Sequence, residues 1–115
     1  MRESELGEPA FWILTVLTAG QNHGYAIIRA SEELSQGRVR LKATTLYSVL
    51  DRLVHEGELQ AAGDEVVDGR LRRYFALTDS GEQRLTAEID RLESKARTAR
   101  QQIASRSTAT IGGVA

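Results

Sequence analysis

The sequence is poor in several of the residues that mark common protein classes. It has no cysteine, one proline and one tryptophan in 115 residues. The lack of cysteine excludes disulfides, thiolate metal sites and cysteine nucleophiles, and nothing indicates an oxidising compartment. The apolar run at 10–17 is far shorter than the roughly 18 residues that span a bilayer, and the residues before it are acidic where a secretory leader is basic. We therefore expect a cytoplasmic protein that does not enter a membrane.

The residue patterns of an enzyme or a metalloprotein are also missing. An enzyme needs a nucleophile beside a base, clustered carboxylates or a glycine-rich phosphate loop, and the sequence contains none of these patterns. Its two histidines, His23 and His55, are far apart in the sequence, with no cluster of other ligand types around either. We therefore expect no catalytic residue, no cofactor and no metal site.

Charge is small overall but unevenly distributed. The net charge is −1, and the 41% hydrophobic and 27% charged residues are typical of a single globular domain. Basic side chains concentrate at 37–55 and 70–84, on either side of an acidic stretch at 56–69. This pattern indicates either a local basic face or an ordinary solvated surface.

The periodicity of apolar residues predicts three helices in the first half of the chain. They lie at 10–19, between Asn22 and Gly37, and at 43–56, with Asn22 as the cap of the second. The first is apolar around nearly its whole circumference, which predicts cover on more than one side. The third is amphipathic, with Tyr47 at the margin between two arcs. Its predicted buried arc is Leu46, Val49, Leu50, Leu53 and Val54, and its outer arc is Thr44, Thr45, Ser48, Asp51, Arg52 and His55.

The second half of the chain predicts a hairpin and a long helix. Strands at 59–67 and 70–77 flank the dipeptide Asp68-Gly69, which favours a tight turn, and Thr78 is a suitable cap for the helix that follows. Apolar residues in that helix recur with the spacing of a heptad repeat. They are Leu85, Ile89, Leu92, Ala96, Ala99 and Ile103.

This order of elements predicts a mainly α fold with a small β-hairpin, of class α+β, and is typical of a winged helix-turn-helix. We assign residues 1–78 to a DNA-binding domain, 79–104 to a dimerisation helix and 105–115 to a flexible tail. In such a fold the third helix enters the major groove of double-stranded DNA, and basic side chains contact phosphates while Thr45 and Ser48 reach base edges. The DNA-binding residues expected from these patterns are Arg38, Arg40, Lys42, Thr44, Thr45, Ser48, Arg52, Arg70, Arg72 and Arg73.

Three motifs resemble those of PadR-type transcriptional regulators. They lie at 43–59 in the third helix and the turn after it, at 23–27 where the second helix opens, and at 69–81 across the wing and the start of the last helix. The resemblance covers about residues 9–92 in the right order. It implies a homodimeric repressor that binds a roughly palindromic operator, and it implies Tyr47 and Tyr25 as further DNA-binding residues. Thr44 and Ser48 stand where the family often has Gly and Pro.

Dimerisation is the expected use of the apolar surfaces that one small domain does not cover. The predicted interface comprises Phe11, Trp12, Leu85, Ile89, Leu92, Ala96 and Ala99. Phe11 and Trp12 are also the candidate walls of a pocket for a small aromatic effector between subunits, although Trp12 in simple packing is the alternative. The competing function is a winged-helix adaptor for other proteins that does not bind DNA, which would favour exposed apolar anchors on the third helix.

Overall fold

The fold places three helices against a small sheet and continues into one long helix. A computed structural model describes residues 5–112, with side chains described for residues 5–106. The described elements follow in the order α1 (Glu8–Leu17), β1 (Asn22–His23), α2 (Gly24–Leu34), α3 (Ala43–His55), β2 (Leu59–Val67), β3 (Arg70–Leu77) and α4 (Asp79–Gly112). The α+β class predicted from the sequence is confirmed.

The core lies between α1, α2 and α3 and reaches the base of the hairpin. Helix α1 has five buried side chains, Ala10, Ile13, Leu14, Val16 and Leu17. Because this single chain already covers so much of α1, most of its apolar circumference needs no partner subunit. Helix α3 buries Leu46, Val49, Leu50 and Leu53, as predicted. Val54, assigned to the same arc, is instead 37% exposed because it lies at the edge of that arc.

The sheet has three strands in the order β1-β3-β2, all antiparallel. Strand β1 was not predicted; it pairs Asn22 with Phe75 and His23 with Tyr74. The hairpin turn confirms the prediction, since Asp68 and Gly69 have φ of 52° and 75°, the left-handed conformation that both central residues of a type I′ turn require. The β1–β3 pairing attaches the start of α2 to the hairpin, which is the wing of the fold.

Two predicted helix features differ from the structure. Asn22 does not cap α2: the N-cap is His23, and the Asn22 Oδ1 accepts a hydrogen bond from the His23 amide instead. Because Asn22 is paired with Phe75 in the sheet, its side chain bonds the next amide in the chain and not the first turn of α2. Helix α4 continues to Gly112, beyond the predicted end at 104, so the start of the predicted tail is helical. The remainder of that tail, residues 113–115, lies outside the described residues.

The described residues form two compact units, which divide between Leu85 and Thr86. The first unit ends later than the predicted domain boundary at 78 because the first turns of α4 are bonded to the base of the wing. Thr78 caps α4 by accepting from the Gly81 amide at 3.0 Å, and its hydroxyl donates to the Gly57 carbonyl at 2.7 Å. The Arg84 guanidinium donates to Glu58 Oε2 at 2.6 Å, and both side chains are largely buried. In the second unit, Arg91 pairs with Glu88 one turn away.

None of the helices among residues 5–112 combines the length and the apolarity needed to cross a membrane.

Candidate nucleic-acid interface

Helix α3 presents a polar outer face. The side chains of Thr44, Thr45, Tyr47, Ser48 and Arg52 are exposed, while Leu46 and Leu50 anchor the opposite face in the core. Lys42 occupies the N-cap position and is itself exposed. The first amides of a helix have no partner within the helix, so this end attracts anions such as phosphate. The predicted reading face is therefore accessible to a ligand along its length.

The loop before α3 carries three of the predicted phosphate contacts, Arg38, Arg40 and Lys42, all exposed. The backbone of this loop is held by Ser35, whose hydroxyl accepts a hydrogen bond from the Val39 amide at 2.9 Å. Arg40 lies 3.5 Å from a carboxylate oxygen of Glu32, in an exposed ion pair. Such pairs are weak, about 0–1 kcal/mol, so Arg40 is easily released to another anion.

The start of α2 and helix α3 approach each other closely at Gly24. Gly24 is buried, and a Cβ atom there would overlap the Tyr47 hydroxyl and lie 2.9 Å from Tyr47 Cζ. The hydroxyl end of the Tyr47 side chain therefore occupies the space beside Gly24, while 45% of Tyr47 remains exposed. A side chain at position 24 would displace the tyrosine, so Tyr47 can occupy this position only because residue 24 is glycine.

The wing arginines are distributed over both faces of the hairpin. Side chains alternate along a strand, so Arg70 and Arg72 share one face with Tyr74, and Arg73 shares the other with buried Phe75. Across the ladder, Arg72 is opposite Glu65 and Arg73 is opposite Asp64. The acidic stretch noted in the sequence therefore lies directly beside the basic one.

A groove of about 490 Å³ brings the two predicted tyrosines to the wing arginines. It is lined by His23, Gly24, Tyr25, Tyr47, Arg70, Leu71, Arg72 and Arg73. Tyr25 is 64% exposed, and the Arg29 guanidinium lies 5.8 Å from the centre of its ring, a cation–π contact. Five of the twelve predicted DNA-binding residues thus share one concave surface, and the remaining seven lie along α3 and the loop before it.

Sequence reasoning missed a polar cluster beside this groove. The rings of His23 and Tyr74 meet edge to face at 5.4 Å, and the Tyr74 hydroxyl donates to Glu65 Oε1 at 2.7 Å. The bond to Glu65 raises the pKa of Tyr74. Burial, and secondarily the positive charge of Arg72, lower the pKa of His23, while Glu65 opposes this effect. No periodicity in the sequence reveals the cluster, because it depends on the short strand β1.

A second, smaller cleft lies between α3 and the other face of the wing. Its volume is about 320 Å³, and Arg73 lines both this cleft and the larger groove. Asp51 and Asp64 line it too, so its charge disfavours polyanions. The larger groove is therefore the better candidate for binding DNA.

The predicted dimer residues fall into two groups, one on α1 and one on α4. Phe11 and Trp12 are half-buried on α1 with rings edge to face at 5.3 Å, and the Trp12 indole donates to Glu8 Oε2 at 3.0 Å. Leu85 is buried in the core of the single chain. Ile89 and Leu92 are 38% and 39% exposed, and Ala96 and Ala99 are exposed as well. Leu85 therefore has little surface left for a second subunit, whereas the later positions do.

Both the sequence and the fold of this chain resemble those of known proteins. The sequence pattern of the transcriptional regulator PadR-like family matches residues 13–87. The transcriptional regulator Rv3488 of Mycobacterium tuberculosis is 35% identical over 97 residues, which cover 84% of this chain and 87% of that protein. A transcriptional regulator from Clostridium thermocellum has a similar fold, with a TM-score of 0.70 at 23% identity over 80% of this chain and 89% of that one. The structure of Bacillus subtilis PadR in complex with operator DNA is 26% identical with a TM-score of 0.63, over 70% of this chain and 46% of that one.

Since the family match spans more than half of the sequence, from α1 into α4, this chain belongs to the PadR-like family of transcriptional regulators.

Proposed function

We propose that this chain is a sequence-specific DNA-binding repressor that recognises a palindromic operator as a homodimer. The observation that carries the proposal is the groove in which Tyr25 and Tyr47 meet the wing arginines, next to the exposed polar face of α3. Arginine and tyrosine side chains donate hydrogen bonds to phosphate oxygens, and short polar side chains reach base edges. The similarity to Bacillus subtilis PadR, which was solved with operator DNA, supports the same use here.

In this proposal the two parts of the surface have different tasks. Helix α3 lies in the major groove, where Thr45 and Ser48 contact bases and Thr44 and Arg52 flank them. The wing and the loop from Arg38 to Lys42 contact the phosphate backbone on either side. Phosphate contacts fix the register of the protein but carry no sequence information, so specificity depends on α3.

Homodimerisation supplies the second half of the operator contact. The exposed Ile89 and Leu92 on α4 form an apolar surface that a second copy covers, and a two-fold axis then presents two copies of α3 to successive major grooves. A small aromatic compound that stacks on Phe11 and Trp12 between subunits is the proposed effector, because this pair offers aromatic surface outside the DNA-binding groove.

The test is binding to DNA from immediately upstream of the chain's own gene, titrated with salt. We expect specific binding whose affinity falls steeply with salt, because the basic side chains displace counterions from phosphates. A scrambled duplex of the same length should bind more weakly. Equal binding to both duplexes would contradict sequence-specific recognition, and a lack of binding to either duplex would favour the adaptor function.

A further inference from the structure

The wing is a hairpin whose two strands carry opposite charge. On the face that includes Arg72 and Tyr74, the acidic residue is Glu65, which is opposite Arg72 in the ladder. Directly opposed residues in antiparallel strands have Cβ atoms about 4.5–5.5 Å apart, so opposite charges at these positions are close enough to attract each other. A carboxylate therefore lies within reach of an arginine that lines the DNA-binding groove.

Glu65 is also held in place. The Tyr74 hydroxyl donates to its Oε1 at 2.7 Å, and Tyr74 in turn packs against the His23 ring. Tyr74 and His23 are cross-strand neighbours, so the base of the wing fixes the tyrosine. The negative charge is thus restrained beside Arg72 instead of moving freely in solvent.

We propose that Glu65 limits the affinity of the wing for DNA by competing with phosphate for Arg72. The inference rests on the proposed DNA-binding function and concerns how strongly the same surface binds. A phosphate that contacts Arg72 comes close to the restrained carboxylate, and the two like charges repel each other. Because phosphates are the same in every sequence, this repulsion weakens binding to operator and to other DNA alike.

A purely structural role for Glu65 predicts the opposite result. If the Glu65–Arg72 pair only stabilised the hairpin, removing the carboxylate charge would loosen the wing and weaken DNA binding. If Glu65 competes with phosphate, removing its charge strengthens DNA binding. The sign of the change therefore separates the two roles.

The experiment compares wild type with Glu65→Gln on the upstream duplex and on its scrambled version over a range of salt concentrations. Glutamine keeps an oxygen that accepts from the Tyr74 hydroxyl but has no charge. We expect both duplexes to bind about two- to fivefold more tightly at low salt, the range that exposed charge pairs span. The dependence of log K on log salt should steepen by up to about one unit, since one more positive charge is available to phosphate.

Two further variants make the test specific. Asp68→Asn removes the same charge from the wing turn, and asparagine tolerates the left-handed conformation of that residue, so it should change binding less. In an Arg72→Ala background, Glu65→Gln should bring little gain, because the competing partner is gone. Unchanged or weaker binding by Glu65→Gln, or an equal gain without Arg72, would overturn this inference while leaving the proposed function intact. Failure of the wild type to bind either duplex would overturn both.

Discussion

Gly24 shows how the absence of one side chain fixes the position of another. A Cβ at this position would meet the end of the Tyr47 side chain, which is partly exposed and so has solvent on one side into which it can move. The strain of Gly24→Ala is relieved mainly by moving the tyrosine, together with a shift of a few tenths of an ångström by buried Leu46, whose Cδ2 would lie 3.2 Å from the new Cβ. Stability and function should respond differently to this substitution.

We expect Gly24→Ala to change the free energy of unfolding by less than about 1 kcal/mol, since alanine also favours the helix. DNA binding should weaken about tenfold or more, because a hydrogen bond to a charged group is worth about 1.5–3 kcal/mol. Thermal unfolding and DNA titration measure the two effects. In a Tyr47→Ala background the same substitution should add no further loss of binding, and an additive loss would mean that Gly24 acts by another route.

His23 should give the groove that it lines with Tyr25, Tyr47 and the wing arginines a dependence on pH. Burial first and Arg72 second hold its pKa below the usual value of about 6.5, while Glu65 opposes them. The unfolded chain therefore binds more protons below this pH, so the free energy of unfolding falls as the pH drops through about 6.5 and levels off below the lowered pKa. Phosphate in the groove favours protonated His23, so DNA affinity should rise over the same range.

The measurement is DNA affinity and thermal stability between about pH 5 and 8 for wild type and His23→Gln. The variant should lose most of both pH effects, whereas His55→Gln, at the exposed end of α3, should retain them. If His23→Gln kept the full pH dependence of binding, other groups would have to account for it.

Among the secondary-structure elements, α3 is the one that reads sequence in our proposal. Thr45→Ala or Ser48→Ala should change the preferred operator sequence, at about 1–3 kcal/mol for a lost base contact. The fold should persist, since both side chains are exposed. Selection of binding sites from random DNA measures the preference. If both variants returned the wild-type site, α3 would not be the reading element.

The elements with strong local signals were predictable from the sequence. The spacing of Leu46, Leu50 and Leu53 predicts the buried face of α3, and Asp68-Gly69 predicts the wing turn, because each depends on neighbours in the chain. Thr78 likewise caps α4 through its own side chain. These features needed no knowledge of tertiary contacts.

Elements that depend on distant partners were not predictable. Strand β1 is two residues long and exists only because β3 pairs with it. The interruption in the β2–β3 ladder between Ala61 and Asp64, where Gly63 has φ of 100°, also has no periodic signal. The cluster of His23, Glu65 and Tyr74 depends on the pairing of β3 with both β1 and β2. The basic and polar residues of the candidate site were therefore predicted from the sequence, but the acidic Glu65 was not.

At the scale of the whole molecule, family membership confirms that the chain is not an enzyme and that it regulates transcription. The feature of the molecule that most needs a partner is then the part of α4 just beyond Leu85. Its apolar residues Ile89 and Leu92 are partly exposed and lie at heptad spacing, while Leu85 is already buried. In the proposed homodimer a second copy covers them and supplies the second DNA-binding unit that a palindromic operator needs.

Leu92→Asp should therefore separate the proposed homodimer and abolish tight operator binding. Burying a leucine side chain contributes about 1.5–3 kcal/mol in each subunit, and a buried unpaired carboxylate costs more than that gain. Because Leu92 is already partly exposed in the single chain, the fold should survive, as circular dichroism can verify. Ile103→Ala, further along α4 at a more exposed position, is the control and should leave the dimer intact. Sedimentation at micromolar concentration measures the assembly. A monomeric wild type, or a monomeric Leu92→Asp that still bound the full operator tightly, would show that dimerisation through α4 is not required, because one copy of α3 would then suffice for recognition.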